Sequence, residues 1–203
     1  MIDVKREIIL SEGLPVTVSN GSADPVETTI LIGRASKQFN QTVSIEANRR
    51  AQFLPEVLID SGSMVTNTLA NEKYLVVATM PEIIQGEIAT TIAHMFTCNA
   101  TITVSGVEET LNDRGDVKKQ TVVKFEDLEC HAESSRSALQ QKDPGYFLDC
   151  EYLVYAPAGV PITTLDTLTL KSLGEPRTLK VINADYMTFP GLVEIQLSSE
   201  TRK

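Results

Sequence analysis

Apolar residues along the chain recur with a period of two, in short β-branched runs punctuated by turn residues. Leu14-Pro15-Val16-Thr17-Val18-Ser19 ends at Asn20-Gly21, a dipeptide that favours tight turns. Thr28 to Gly33 is β-branched and apolar. Thr42 to Ala47 alternates, with Val43 and Ile45 on one face and Ser44 and Glu46 on the other. Val57-Leu58-Ile59 leads into the turn Asp60-Ser61-Gly62-Ser63 and then Met64-Val65-Thr66, and Glu72 to Ala78 is the strongest buried-strand pattern. A long β-like segment runs from Glu87 to Val104. Further strands are expected at Thr121 to Leu128, Tyr146 to Tyr155, Thr167 to Leu170, Thr178 to Ile182 and Leu192 to Leu197. One short helix is expected, about Ala132 to Gln141, stopped by Asp143-Pro144-Gly145. Many short strands, with turns about every 8–12 residues, predict barrels or sandwiches and not a parallel α/β sheet.

The order of elements recurs. Phe53 to Ile59, Gly62 to Thr66 and Lys73 to Val77 are followed later by Tyr155 to Ile162, Leu165 to Thr169 and Arg177 to Val181. Pro55 matches Pro157 at an offset of 102 and Leu75 matches Leu179 at 104, whereas Val16 to Ser19 matches Ile102 to Ser105 at 86. The second copy therefore carries about 16 extra residues, expected within 107–119 or 131–145. The predicted fold is all-β: two tandem small β-barrel or sandwich domains, residues 1–97 and 98–203, with long loops, a loop insertion in the second and at most one short helix.

The 203 residues suffice for two domains of about 100 each. A hydrophobic fraction of 42 % supports a packed core, and with 5 % aromatics and no Trp that core must be built from Val, Ile, Leu and Ala. The net charge of −9 argues against a nucleic-acid-binding module, though an acidic surface suits a channel past which DNA slides. The first residues, Met1 to Glu7, lack the apolar run of a signal peptide, and runs such as Tyr74 to Ala78 are too short to span a membrane. Three cysteines (Cys98, Cys130, Cys150), an odd number with no close pair, fit free thiols in a reducing compartment.

No pattern for catalysis emerges. Cys130 and His131 are adjacent, but neighbours on a strand point to opposite faces and cannot share one metal ion. His94 has no positioned nucleophile, and CxxC, GxSxG, Walker, GxGxxG and HExxH motifs are missing. Glu108-Glu109 and Glu126-Asp127 sit in polar segments and read as solvated surface. No catalytic residue, metal ligand or cofactor is therefore expected, and the chain is not read as an enzyme. Two segments suit docking onto a partner: the acidic-then-basic stretch Val107 to Lys119, with Asp113, Arg114, Asp116, Lys118 and Lys119, and the stretch Ser134 to Asp143, with Arg136, Gln140 and Lys142.

The last third of the chain runs as a strand from Asp149 to Tyr155, then Ala156-Pro157-Ala158-Gly159-Val160-Pro161-Ile162, Leu165 to Leu170, Arg177 to Ala184 and Leu192 to Leu197. This resembles the head-closure (stopper, head–tail joining) proteins of the neck of tailed bacteriophages, over 149–197 and more weakly over 53–94. Leu165-Asp166 stands where that family usually has Gly-Asp, and the chain is about twice the usual length. The resemblance implies a virion component that forms a homo-oligomeric ring between portal or adaptor and tail proteins, with DNA passing through, no cofactor and no membrane contact. A tail-terminator or tail-tube-end protein would look much the same. A β-sandwich binding or adhesion module for carbohydrate or another surface is the other class, but sugar faces need aromatic platforms, and this chain has no Trp and five Tyr.

Overall fold

The computed structural model describes residues 2–21, 24–34, 47–111, 117–134, 150–172 and 174–199. It begins with a helix, α1 (Ile2–Glu12), followed by twelve strands: β1 (Leu14–Ser19), β2 (Val26–Arg34), β3 (Asn48–Phe53), β4 (Met64–Asn67), β5 (Lys73–Ile84), β6 (Glu87–Thr97), β7 (Ala100–Leu111), β8 (Val117–Ser134), β9 (Tyr152–Pro157), β10 (Thr167–Lys171), β11 (Arg177–Asp185) and β12 (Leu192–Ser198). The strands close into two six-stranded antiparallel barrels in tandem, so the predicted all-β class and the pair of barrels are present.

The first barrel has the cyclic order β1-β2-β3-β6-β5-β4 and the second, read in the same sense, β7-β8-β9-β12-β11-β10. The registers agree as well as the order. Val16 faces Thr28 and Asn67, as Ile102 faces Leu128 and Leu170. Ile32 faces Ala51, as Ala132 faces Val154. Val65 faces Tyr74, as Leu168 faces Leu179. Even the irregularity recurs: the register shifts between Val76 and Ala78 against β6, and between Val181 and Asn183 against β12. A bulge bends its strand and raises the local twist, so both barrels bend at the same point.

These registers place the sequence matches on equivalent strands but correct two of them by one residue. Tyr74, not Leu75, is the counterpart of Leu179, and Phe53 corresponds to Ala156, not Tyr155. The cause is the strand's period of two, since a slip of one residue exchanges the inward and outward faces. Tyr74 and Phe53 point into the first core, and Leu179 and Ala156 into the second. Val16 reaches its partner Thr28 in 12 residues and Ile102 reaches Leu128 in 26, so 14 of the extra residues lie in the β7–β8 hairpin.

The first core contains Phe53, Tyr74 and Met95 among Val, Ile, Leu and Ala; the second is aliphatic with Cys130. A matching turn leads into β4 and β10. Ser63 Oγ accepts the Asp60 amide at 3.0 Å, and Asp166 Oδ2 accepts the Thr163 amide at 2.8 Å. Both turn side chains are buried. The β5–β6 connection is a two-residue turn with Gln85 at φ 54° and Gly86 at φ 87°, the pair of positive values that a right-twisted hairpin favours.

Several expectations change. The long segment Glu87 to Val104 is broken where one barrel passes to the next: the Cys98 amide donates to Lys73 in the first, and the Asn99 amide to Cys130 in the second. The helix expected at Ala132 to Gln141 is strand over Ala132–Ser134, paired with β9; the rest lies outside the described residues. So do positions 42–46 of the alternating segment and 146–149 of the strand expected from Tyr146. The helix that does form is α1, which buries Ile9 completely and ends where the Gly13 amide donates to Ile9. A Cβ on Gly13 would lie 2.1 Å from that carbonyl oxygen, so only glycine lets the chain turn directly into β1.

Candidate functional site

Closure of both barrels leaves few backbone edges free. Among the described residues two hairpins run past that closure: β5–β6, whose Ile83–Ile88 and Ile84–Glu87 pairs lie beyond the pairing with β4 and β3, and, further, β7–β8. β7 pairs with β10 only over Thr101–Ser105, and β8 with β9 only over His131–Ser134. From Gly106 outward the two strands pair with each other alone and form a two-stranded ribbon. The pairs Val107–Thr121, Leu111–Val117 and Ser105–Val123 put Val107, Val117 and Val123 on one face, and these are 56 %, 58 % and 55 % exposed. Lys119 shares that register face, while Glu108, Lys118 and Gln120 lie on the other.

Of the partner-contact residues expected from sequence, Lys118 and Lys119 are therefore exposed on the ribbon, near its end. Asp113, Arg114, Asp116, Arg136, Gln140 and Lys142 lie outside the described residues. Asp127 sits in the bulge of β8 at φ 51° and accepts Lys171 Nζ at 2.6 Å, at an exposed position.

At the root of the ribbon, Asp166 is nearly fully buried and binds Lys124 Nζ at 2.7 Å in addition to its turn bonds. Burial alone would raise its carboxyl, but the hydrogen bonds from Lys124 and from the amide and hydroxyl of Thr163 outweigh that and hold it below the usual carboxylate range. Gly106 makes room for this pair, because a Cβ there would lie 2.4 Å from Lys124 Cε and 2.9 Å from Asp166 Oδ1.

The two histidines lie on different barrels, His94 on β6 and His131 on β8. Cys130 points into the second core, with its thiol directed at the Ala100 carbonyl, 3.4 Å away. His131 lies on the opposite face, buried, with Nε2 2.9 Å from Glu133 Oε1 and its ring stacked on Tyr155. Burial, then Glu194 and Glu133, push the Tyr155 hydroxyl far up, so it stays a proton donor at ordinary pH. A buried imidazole between a carboxylate and a phenol is a satisfied polar layer without access for a substrate. His94 is lowered by burial first and by Arg50 second. Among the described residues, no three metal-ligating side chains converge.

A pocket that the sequence did not suggest lies at an end of the first barrel. It measures about 230 Å³ and is lined by residues that include Arg49, Asn67, Glu72 and Tyr74. Asn67 Oδ1 accepts the amides of Leu69 and Ala70 at 3.0 and 3.3 Å, and the Tyr74 hydroxyl donates to Glu72 Oε2 at 2.5 Å. Burial, then the Glu72 carboxylate, raise the Tyr74 hydroxyl. The only trace in the sequence is Asn48-Arg49-Arg50, a polar interruption between apolar strands.

No family model matches the chain, and no curated protein does. Solved structures similar to it include K. pneumonia MrkH in its apo state, at 11 % identity and a TM-score of 0.25 over 100 % of this chain and 84 % of that one. The K. pneumonia MrkH–c-di-GMP complex is similar at 10 % identity and a TM-score of 0.21, over 100 % of this chain and 86 % of that one. At such TM-scores the likeness carries no argument.

Proposed function

We propose that the chain is a structural subunit that assembles into a ring, in the neck role that the resemblance to head-closure proteins implies, joining portal or adaptor to tail while DNA passes through. The observation that carries this reading is the β7–β8 ribbon. It presents three exposed valines, and from Gly106 outward its strands pair with each other alone. Exposed apolar strips and unpaired edges are the features through which β proteins associate. The closed sheets shift the expected mode of assembly: strand-edge pairing is left to segments such as the ribbon that run past the closure, and the remaining contacts fall to loops and side chains. An excess of acidic residues gives passing phosphate little to adhere to.

Two barrels in one chain also suit a symmetry mismatch. A ring of six chains presents twelve barrels, matching a twelve-fold connector on one side and a six-fold tail on the other. Light scattering and negative-stain imaging test this, on the protein alone and with portal or tail proteins. A ring of about 133 kDa is expected from six copies of a 22.2 kDa chain. A ring count not divisible by six refutes the symmetry argument. A monomer that ignores every virion component refutes the neck role.

A further inference from the structure

The duplicated architecture lets each position in one barrel be compared with its counterpart in the other. Arg49 follows the inward alternation of Ala51 and Phe53 on β3, so its side chain enters the end of the barrel. Its Nη1 is shielded from solvent and has no hydrogen-bond partner among the described residues. The neighbouring polar groups are already engaged with one another, Asn67 with two backbone amides and Tyr74 with Glu72.

In the second barrel the matching register positions are Tyr152 for Arg49, Leu170 for Asn67, Leu179 for Tyr74 and Arg177 for Glu72. That end closes on itself: Arg177 Nη1 donates to the Tyr152 hydroxyl at 2.6 Å and the guanidinium lies 6.0 Å from the centre of the ring. In the second barrel the exposed Arg177 thus finds a partner, whereas Arg49 Nη1, shielded from solvent, has none among the described residues beside a cavity of about 230 Å³. A buried donor left without an acceptor is unfavourable, and an acceptor entering the cavity would relieve it.

From this juxtaposition we infer that the end of the first barrel is a receptor for an acidic side chain of a partner polypeptide, with Arg49 holding its carboxylate. A planar two-oxygen acceptor matches the guanidinium fork, and the cavity is large enough for a side chain of that size. Glu72 beside it, and the net charge of −9, disfavour a polyanion. This inference goes beyond the ring proposal and does not depend on it, because a monomer binds as well as a ring.

Saturation-transfer NMR on the full chain tests it in any state of assembly. The probe is the peptide acetyl-Gly-Glu-Gly-amide, with acetyl-Gly-Gln-Gly-amide as its neutral control. Saturable transfer to the Glu peptide is expected, with a dissociation constant on the order of 1–10 mM, and none to the Gln peptide. Arg49→Gln should abolish the signal and Arg177→Gln should leave it unchanged. Glu72→Gln, which removes a like charge, should tighten binding about three- to tenfold. Equal binding of both peptides, absence of transfer to the folded chain, or a signal that survives Arg49→Gln overturns the inference. Should Arg49→Gln fail to fold, the Gln peptide and Glu72→Gln still decide.

Discussion

Replacing Asp166 separates what the turn contributes from what the ion pair contributes. Its carboxylate takes the Thr163 amide at 2.8 Å, the Thr163 hydroxyl at 3.0 Å and Lys124 Nζ at 2.7 Å. Hydrogen bonds to a charged group are worth about 1.5–3 kcal/mol each. Lys124 is about one-third exposed, so water replaces much of its share and that bond is discounted. Asp166→Ala leaves the turn amide without an acceptor and should cost about 3 kcal/mol. Asp166→Ser copies the solution of the first barrel, where Ser63 Oγ accepts the Asp60 amide, and should cost about 1 kcal/mol. In a domain of about 100 residues those losses lower the melting temperature by about 12–24 °C and 4–8 °C. Scanning calorimetry, with near-ultraviolet circular dichroism of Tyr152 and Tyr155 to follow the second barrel, reads both. The folded carboxyl lies below its ordinary value of 3.8, so its contribution is complete above that pH and fades as the pH falls further. Wild type and Asp166→Ser should therefore converge toward acid. Equal losses for Ala and Ser, or a gap between wild type and Ser that persists in acid, would show that the reasoning is wrong.

Two further outcomes follow from burial. Ile9→Ala, at the fully buried contact of α1, should lower stability by about 2–5 kcal/mol in urea unfolding. Lys5→Ala, which removes a part-exposed pair with Glu82 at 2.5 Å, should cost no more than about 1 kcal/mol; similar losses for the two would mean that charge and not packing docks the helix. A thiol reagent applied to the native chain should modify Cys98, which is half-buried, well before Cys130, which is buried in the second core; the reverse order would contradict that placement.

The strands that alternate cleanly were legible because burial on one face writes itself into the sequence with period two. α1 was not legible. Its apolar residues Val4, Ile8 and Leu10 remain substantially exposed and only Ile9 is buried, so no apolar stripe marks it, and its β-branched content favours strand. β3 failed for a related reason: Asn48, Arg49 and Arg50 replace the apolar residues expected of a strand held between β2 and β6. That departure from pattern is also what forms the pocket, as expected where local preference and site requirements conflict. The ribbon was half legible. The repeat offsets put the extra residues within 107–119 or 131–145 without choosing, and 107–119 read as a solvent-exposed tip and not as long strands, because a two-stranded ribbon has no core to demand alternation. That Arg49 Nη1 lacks a partner among the described residues was beyond reach, since what surrounds a side chain follows from registers between distant strands.

The position of the ribbon has an evolutionary consequence. It grows from one hairpin of a closed cylinder, outside every hydrogen bond that completes the circle and outside the packed interior. Residues can be added to it or lost in pairs while barrel registers stay intact, as the 14-residue difference between the β1–β2 and β7–β8 hairpins illustrates. Descendants of such a chain can thus exchange neighbours by editing one appendage, with the two cylinders inherited unchanged.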